Sequence, residues 1–398
     1  DRLRVLLFIE RTNLEKITEL YGQEIADLLL ENTGQKIRQE LRNIDYIFRF
    51  EGSRFAVLLS NVANRLDAAK VAEKIYDTVT FPYAFKGNDI IVGCSIGAAV
   101  FPCDGKTKEE LTKNATSSML EAKRRGNRYI LFNREMHEQA VKRLEIESAA
   151  YRALEERQFD LQYQPIVDTE GRIVGAEALL RWNHPKMGHI SPVELIPLAE
   201  QSGLIMAIGK WVLFTVCKQL THWSSTYGIY ISYNMSAKEF TAPDLADVVG
   251  KALQNGGSTD PKYLKIEITE TACVQNLEES ILRMESLSDL GVELFIDDFG
   301  TGSSSLTYLK QLPATLLKID RNFVSGIDTN DSERDFLAHI IRMVKSRGKE
   351  VLVEGIDNEK QAELLAGMGC SYMQGFYFSK PMKAEYLENI LENRSTLP

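Results

Sequence analysis

The sequence predicts two domains of different class: an α+β domain, then a (β/α)₈ barrel of α/β type. Three observations carry that expectation. The chain has 398 residues, and at roughly 150 residues per domain this corresponds to two or three domains. The first third mixes strand and helix runs without a repeating unit and holds a tight hairpin turn at Glu51-Gly52-Ser53. The remainder repeats a strand-then-helix unit over about 240 residues, the size and rhythm of such a barrel. A doubly wound open sheet is the structural alternative, but no GxGxxG follows an early strand.

In order, residues 3–9 read as a buried strand and residues 14–41 as helical, interrupted near Tyr21-Gly22. Residues 46–50 and 55–59 are strands around the hairpin turn. Residues 67–79 read as helix, 90–101 as one strand, 108–123 as helix and 129–132 as a final strand. That order fits helices laid on an antiparallel sheet. Residues 1–133 are therefore taken as the first domain. Residues 134–157 are charged and lack Gly and Pro. They place Met136, Ala140, Leu144, Ala150 and Leu154 at helical intervals, as in a helix connecting the two domains. Residues 158–398 form the second domain, with β-rich runs at 173–176, 229–234, 264–268, 293–296, 316–319, 350–353 and at Tyr372.

Composition narrows the function classes. With 44% apolar and 26% charged residues, each domain can bury a core. No apolar run approaches the roughly 18 residues of a spanning helix, and no secretory leader pattern is present. Five scattered cysteines without a CxxC form neither a disulfide framework nor a zinc site, which points to a reducing, cytoplasmic compartment. Residues 1–133 carry 20 Lys+Arg against 18 Asp+Glu, and residues 134–398 carry 27 against 38. The acidic second part argues against binding duplex nucleic acid, which needs basic surface, and suits a site that collects divalent cations.

Nearly every β-rich run of the second part ends in a polar residue: Glu177, Asn234, Glu267, Asp297 with Asp298, Lys318, Glu354 and Gln374. In a barrel the carboxyl ends of the strands converge on one face, where active sites sit. Five carboxylates at close quarters raise one another's pKa unless positive charge offsets them, and hard cations such as Mg²⁺ or Mn²⁺ prefer such oxygen donors. The adjacent Asp297-Asp298 suits a two-metal clamp for in-line displacement at phosphorus. Any one of these acids reads equally well as a helix cap or ion-pair partner. Their joint recurrence after β-rich runs is what points to a site.

The motifs Tyr163-Gln164-Pro165, Glu177-Ala178-Leu179-Leu180-Arg181-Trp182, Asn234-Met235-Ser236, Glu267-Ile268-Thr269-Glu270, Asp297-Asp298-Phe299-Gly300-Thr301-Gly302, Lys318-Ile319-Asp320, Glu354-Gly355 and Gln374-Gly375-Phe376 resemble, in order, those of EAL-domain cyclic di-GMP phosphodiesterases. The resemblance implies a TIM-like barrel that opens cyclic di-GMP to linear pGpG with two divalent cations, Mg²⁺ or Mn²⁺. It assigns Glu177, Asn234, Glu267 and Asp297 to one metal, and Asp297, Asp298 and Glu354 to the second. Lys318 would hold the attacking water or offset phosphoryl charge, Gln164 and Arg181 would contact the dinucleotide, and Gln374 would support water or substrate. Glu177, Asp298, Lys318 and Glu354 thus carry the chemistry, and Glu270 ties down the loop after Asp298. Ser303, often aromatic in the family, and Asp357, usually Glu, are departures. A homodimer through the barrel is implied as well.

The first part resembles the GGDEF domain of diguanylate cyclases. The likeness rests on residues 49–59, Tyr21-Gly22 with Asp27, Ser95-Ile96-Gly97, and Ala122-Lys123 leading to Gly126-Asn127. Ser53 and Arg54 replace the acidic pair of the turn, and Arg54 brings positive charge where a cation should bind. Glu10 stands where a metal-binding Asp is expected, and Thr18 replaces the guanine-binding Asn. The expectation is a degenerate, non-cyclising domain that relays signals or binds GTP as a regulator. Arg42-Asn43-Ile44-Asp45 fits the family's RxxD inhibitory site, where Arg42 and Asp45 would contact cyclic di-GMP. The family's usual upstream stretch is missing, so an input domain outside this chain is expected, which could tether the full protein to the inner membrane. The rival from another class is a non-catalytic cyclic di-GMP receptor; such receptors usually lose the EAL glutamate or the Asp pair, and Glu177, Asp297 and Asp298 are all present.

Overall fold

The computed structural model describes residues 3–50, 52–80, 83–85, 88–90, 92–126, 128–257, 260–300, 310–393 and 396–397. Glu51, Asn127 and the loop positions 301–305, including Ser303, lie outside the described residues, as do the side chains of Met136 and Ala140. The chain divides into two compact units, Asp1–Glu145 and Ile146–Pro398.

The first unit is built on a five-stranded sheet. Its elements in chain order are β1 (Leu3–Arg11), α1 (Leu14–Tyr21), α2 (Gln23–Glu40), β2 (Tyr46–Arg49), β3 (Arg54–Val62), α3 (Arg65–Val79), the ribbon β4 (Tyr83–Phe85) and β5 (Asn88–Ile90), β6 (Cys94–Phe101), α4 (Lys108–Arg125) and β7 (Tyr129–Leu131). The sheet order is β2-β3-β1-β6-β7, antiparallel except for the β6–β7 edge. Central β1 is apolar on both faces because both are covered. Val5, Leu7 and Ile9 pack with Leu30 and Ile37 of α2 and Ala72 and Ile75 of α3. Phe8 packs on the other face with Ala115 and Met119 of α4.

The single strand expected over residues 90–101 is two pieces. Arg11↔Cys94 is the last pair of the β1–β6 ladder, whereas Asn88–Ile90 pairs with Tyr83–Phe85.

Helix α5 runs Arg134–Glu155. Its Ile146, Ala149, Ala150 and Ala153 are buried in the core of the second unit, so its C-terminal half belongs to that unit's packing. The barrel strands are β8 (Phe159–Asp168), β9 (Ile173–His184), β11 (Tyr230–Met235), β12 (Leu264–Thr269), β13 (Glu293–Phe299), β14 (Leu316–Ile319), β15 (Glu350–Val353) and β16 (Tyr372–Met373); β10 (Gly188–Ile190) only extends β9 as a hairpin. They close in the order β9-β11-β12-β13-β14-β15-β16-β8, with β8 returning to β9. Seven strands run parallel, whereas β8 is antiparallel to both neighbours. The sequence expectation lacked β8, whose run contains Pro165, a residue that argues against a central strand. Helices such as Ile205–Thr226, Leu277–Ser288 and Asp331–Ser346 bury apolar faces against the outside of the ring. Among the described residues no helix is long and apolar enough to cross a membrane.

Gly97 of β6 lies under α4, and a Cβ there would meet the Met119 amide nitrogen at 2.1 Å and the Ala115 carbonyl oxygen at 2.2 Å. Both are backbone atoms that cannot rotate aside. Gly97→Ala is therefore expected to destabilise the first unit by about 1–3 kcal/mol or more, read as a lower urea midpoint for that unit, with the barrel's transition unmoved.

Candidate active site at the barrel mouth

The expected strand-end residues converge. Glu177 lies within β9, Asn234 near the end of β11, Glu267 in β12, Asp297 in β13 and Lys318 in β14, while Glu354 and Gln374 directly follow β15 and β16. Together with Gln164 of β8, all of these except Glu267 line a cavity of about 570 Å³; Glu267 is buried, within hydrogen-bond distance of cavity-lining Lys318.

Lys318 is 1% exposed. Its Nζ lies 2.6 Å from Glu267 Oε2, 2.6 Å from Glu354 Oε1, 3.4 Å from Asp297 Oδ1 and 3.7 Å from Glu177 Oε1. Burial opposes its charge, but Asp297, Glu177, Glu267 and Glu354 outweigh that and hold the ammonium well above the usual lysine value. One ammonium does not neutralise four carboxylates. Loss of water pushes Glu267 well up despite Lys318, and Glu354 up to about 7, with Asp297 and Glu177 adding to both shifts. Asp298 is also raised, first by burial and then by Asp297 and Asp320.

The amides are ordered around Glu177. Asn234 Nδ2 donates to Glu177 Oε1 at 2.6 Å, and Gln374 Nε2 donates to Glu177 Oε2 at 2.8 Å and to Gln164 Oε1 at 3.1 Å. Gln164 Nε2 in turn donates to the Ser379 carbonyl. At Asp297-Asp298 the β13–β14 register shifts, and Asp298 adopts φ 55°, a left-handed conformation that Asp tolerates better than most residues. Glu270 opens the short helix Glu270–Val274 and accepts from the Gly300 amide at 2.9 Å.

The donor set fits hard divalent cations: it is all oxygen, and Glu267 Oε1 and Gln374 Oε1 are buried without a hydrogen-bond partner among the described residues. As the side chains stand, no three Asp, Glu, His or Cys groups among the described residues are close enough to share an ion; Lys318 occupies the space between them. Arg181 does not line the cavity. It sits two residues beyond Leu179, which does, and donates to Gln162 Oε1 and to the Leu180 carbonyl. Arg321, Asn322, Ser325 and Gln361 line the cavity unexpectedly. The available signal was their place in segments just after barrel strands, which build this face in such folds.

A family profile described as the EAL domain matches residues 147–381, more than half of the chain. The chain belongs to the EAL family. Ahead of the EAL domain, a profile described as "Diguanylate cyclase, GGDEF domain" matches residues 2–129. The chain is 38% identical over 391 residues to the bifunctional diguanylate cyclase/cyclic di-GMP phosphodiesterase MucR of Pseudomonas aeruginosa, covering 97% of this chain and 57% of that protein. It is 33% identical over 390 residues to the cyclic di-GMP phosphodiesterase NbdA of the same organism, covering 97% and 50%. The chain thus spans about half the length of the curated relatives it matches. A solved "PaMucR Phosphodiesterase, c-di-GMP complex" superposes with TM-score 0.59 at 40% identity, over 61% of this chain and 99% of that one.

In the GGDEF domain, Glu10 faces two cations, Lys123 Nζ at 3.4 Å and Arg54 Nε at 3.8 Å. One carboxylate already offset twice is a poor metal ligand, although its Oε2 is buried without a partner among the described residues. Thr18 spends its hydroxyl on the Leu14 carbonyl. Asp27 lies beside Arg49 at 3.9 Å. Arg42 and Asp45 close on each other: Asp45 is 3% exposed and accepts from Arg42 Nε, Arg42 Nη2 and the Ser60 amide at 2.9, 3.0 and 2.8 Å.

Burial works against the Asp45 charge, but Arg42 and the Ser60 and Arg42 amides outweigh it and hold the carboxyl below the usual aspartate range. The folded value being depressed, this contribution is complete above the unfolded value and is lost as pH falls through the folded one. Asp45→Asn should cost about 1–3 kcal/mol near neutrality. Its melting-temperature deficit against the parent should shrink below about pH 4, and a deficit that holds constant into acid would contradict the assignment.

Proposed function

We propose that the barrel hydrolyses one phosphodiester bond of cyclic di-GMP to give linear pGpG. The observation that carries this reading is the all-oxygen donor set around one buried ammonium, four carboxylates within 3.7 Å of Lys318 Nζ, in a chain of the EAL family. Glu177, Asn234, Glu267 and Asp297 would hold one Mg²⁺ or Mn²⁺, and Asp297, Asp298 and Glu354 a second. When bound, these cations would acidify water into a nucleophile and offset phosphoryl charge. Water attacks phosphorus, the bond to the ribose O3′ breaks, and that oxygen leaves with a proton. Lys318 donates to the oxygens on which charge grows. Gln374, held by Glu177 and Gln164, presents its Oε1 to water or substrate, and Arg181 pairs with phosphate through its fork of donors.

The GGDEF domain is proposed to make no cyclic di-GMP and to regulate or relay instead. MucR is described as bifunctional, so this difference rests on Ser53, on Arg54 and on the cations already facing Glu10. GTP or cyclic di-GMP would be its regulatory ligands. A homodimer through the barrel and an input segment outside this chain complete the reading.

Incubation with cyclic di-GMP and Mg²⁺ or Mn²⁺ should yield pGpG on chromatography. Chelation should stop the reaction and added Mn²⁺ should restore it. Glu177→Ala should lower turnover on the order of a hundredfold or more. Tight binding without any pGpG would favour a receptor over an enzyme. Separately, GTP with Mg²⁺ should give no cyclic di-GMP, and its appearance would refute the degenerate reading of the first domain.

A further inference from the structure

We propose that Gln162 is a positioning residue for Arg181 and sets which edge of its guanidinium faces the substrate; this rests on the cyclic di-GMP reading above. On the inward face of the β8–β9 pair, Gln164 is registered with Glu177 and Gln162 with Leu179. Side chains alternate along a strand, so Glu177, Leu179 and Arg181 share one face of β9. Arg181 thus stands one pleat above cavity-lining Leu179, about 7 Å further toward the rim, as the diagonal neighbour of Gln162.

Two contacts hold the guanidinium. Arg181 Nε donates to Gln162 Oε1 at 2.9 Å, and Nη1 donates to the Leu180 carbonyl at 2.9 Å. The second is made to the preceding residue's backbone, so among the described residues only Gln162 ties Arg181 across strands. With Nε occupied, the side fork of Nε and Nη2 is closed to a ligand. The terminal edge remains: Nη2 has no hydrogen-bond partner among the described residues, and Nη1 keeps one N–H. An acceptor pair on the dinucleotide, phosphate oxygens or a guanine edge, would therefore meet Arg181 end-on. Half-burial of Arg181 lowers its pKa from the usual value while Glu177 opposes the shift, so water screens the contact less than on an open surface.

Fixing a long side chain before the ligand arrives removes an ordering cost from binding. Gln162 touches neither the carboxylates nor Lys318, so its effect should fall on KM and leave kcat alone. Gln162→Met keeps length and volume but cannot accept from Nε. Its KM for cyclic di-GMP is expected to rise about three- to tenfold with kcat within about twofold, and Gln162→Leu should behave alike, with melting temperatures confirming both fold. Arg181→Ala should raise KM at least as far, and adding Gln162→Met to it should change nothing more.

An unchanged KM in both Gln162 variants, or an undiminished Gln162 effect in the Arg181→Ala background, would overturn the proposal while leaving the phosphodiesterase reading intact. If the parent chain neither binds nor hydrolyses cyclic di-GMP, that reading falls and takes this one with it.

Discussion

Lys318 and the four carboxylates around it impose the constraint on which the second domain is organised. A lysine buried to 1% exposure loses most of its hydration and stays charged only if acids replace the lost water. Carboxylates packed on inner strand faces a few ångströms apart stay ionised only if a cation sits among them. Neither half of the cluster is stable without the other. Barrel closure makes the meeting happen: neighbouring strands lie about 4.8 Å apart, so inward side chains at one level fall within hydrogen-bond reach. Burial pushes Glu267 and Glu354 upward and the neighbouring Asp297 and Glu177 add to it, so Lys318 alone does not offset the acids and the site suits further positive charge.

The strand-end acids were legible because they break a strong pattern. A parallel barrel strand is apolar along most of its length, and a Glu or Asp at its carboxyl end stands out against Val, Ile and Leu. The division into two domains was legible from rhythm alone. Other features were hidden for physical reasons. In the β4–β5 ribbon Asn88–Ile90 pairs with Tyr83–Phe85 and not with β1, a fact of pairing that no local sequence window contains. Helix α5 read as a free connector because its charged residues dominate, although Ile146, Ala149, Ala150 and Ala153 make a narrow apolar stripe that is buried. Arg321 and Asn322 reach the cavity from the short 3₁₀ helix Arg321–Phe323, Ser325 from the turn after it and Gln361 from the helix Glu359–Gly367, placements that follow from tertiary packing.

The two domains show opposite outcomes of one electrostatic problem. At the barrel mouth the acids outnumber the cation. In the GGDEF domain a single carboxylate, Glu10, faces both Lys123 and Arg54. Two cations already sit where a metal ion would otherwise offset that carboxylate.

The direction of β8 explains why its contribution was the hardest to read. In the seven parallel strands the carboxyl end meets the site, so scanning for polar residues after β-rich runs finds Asn234, Glu267, Asp297 and Glu354. Strand β8 runs the other way, so its early residues face the mouth and its late residues, Ile166 and Val167, are buried away from it. Gln162 and Gln164 thus appear as polar interruptions near the start of a weak strand, although their places on the ring are equivalent to those strand ends. Gln164 joins Gln374 and Glu177 in one hydrogen-bonded row, and Gln162 continues that row outward to Arg181. The antiparallel strand closes the barrel and supplies amides at its seam. An amide can accept from Arg181 or Gln374 without adding negative charge to an already acidic pocket, which a carboxylate there would do.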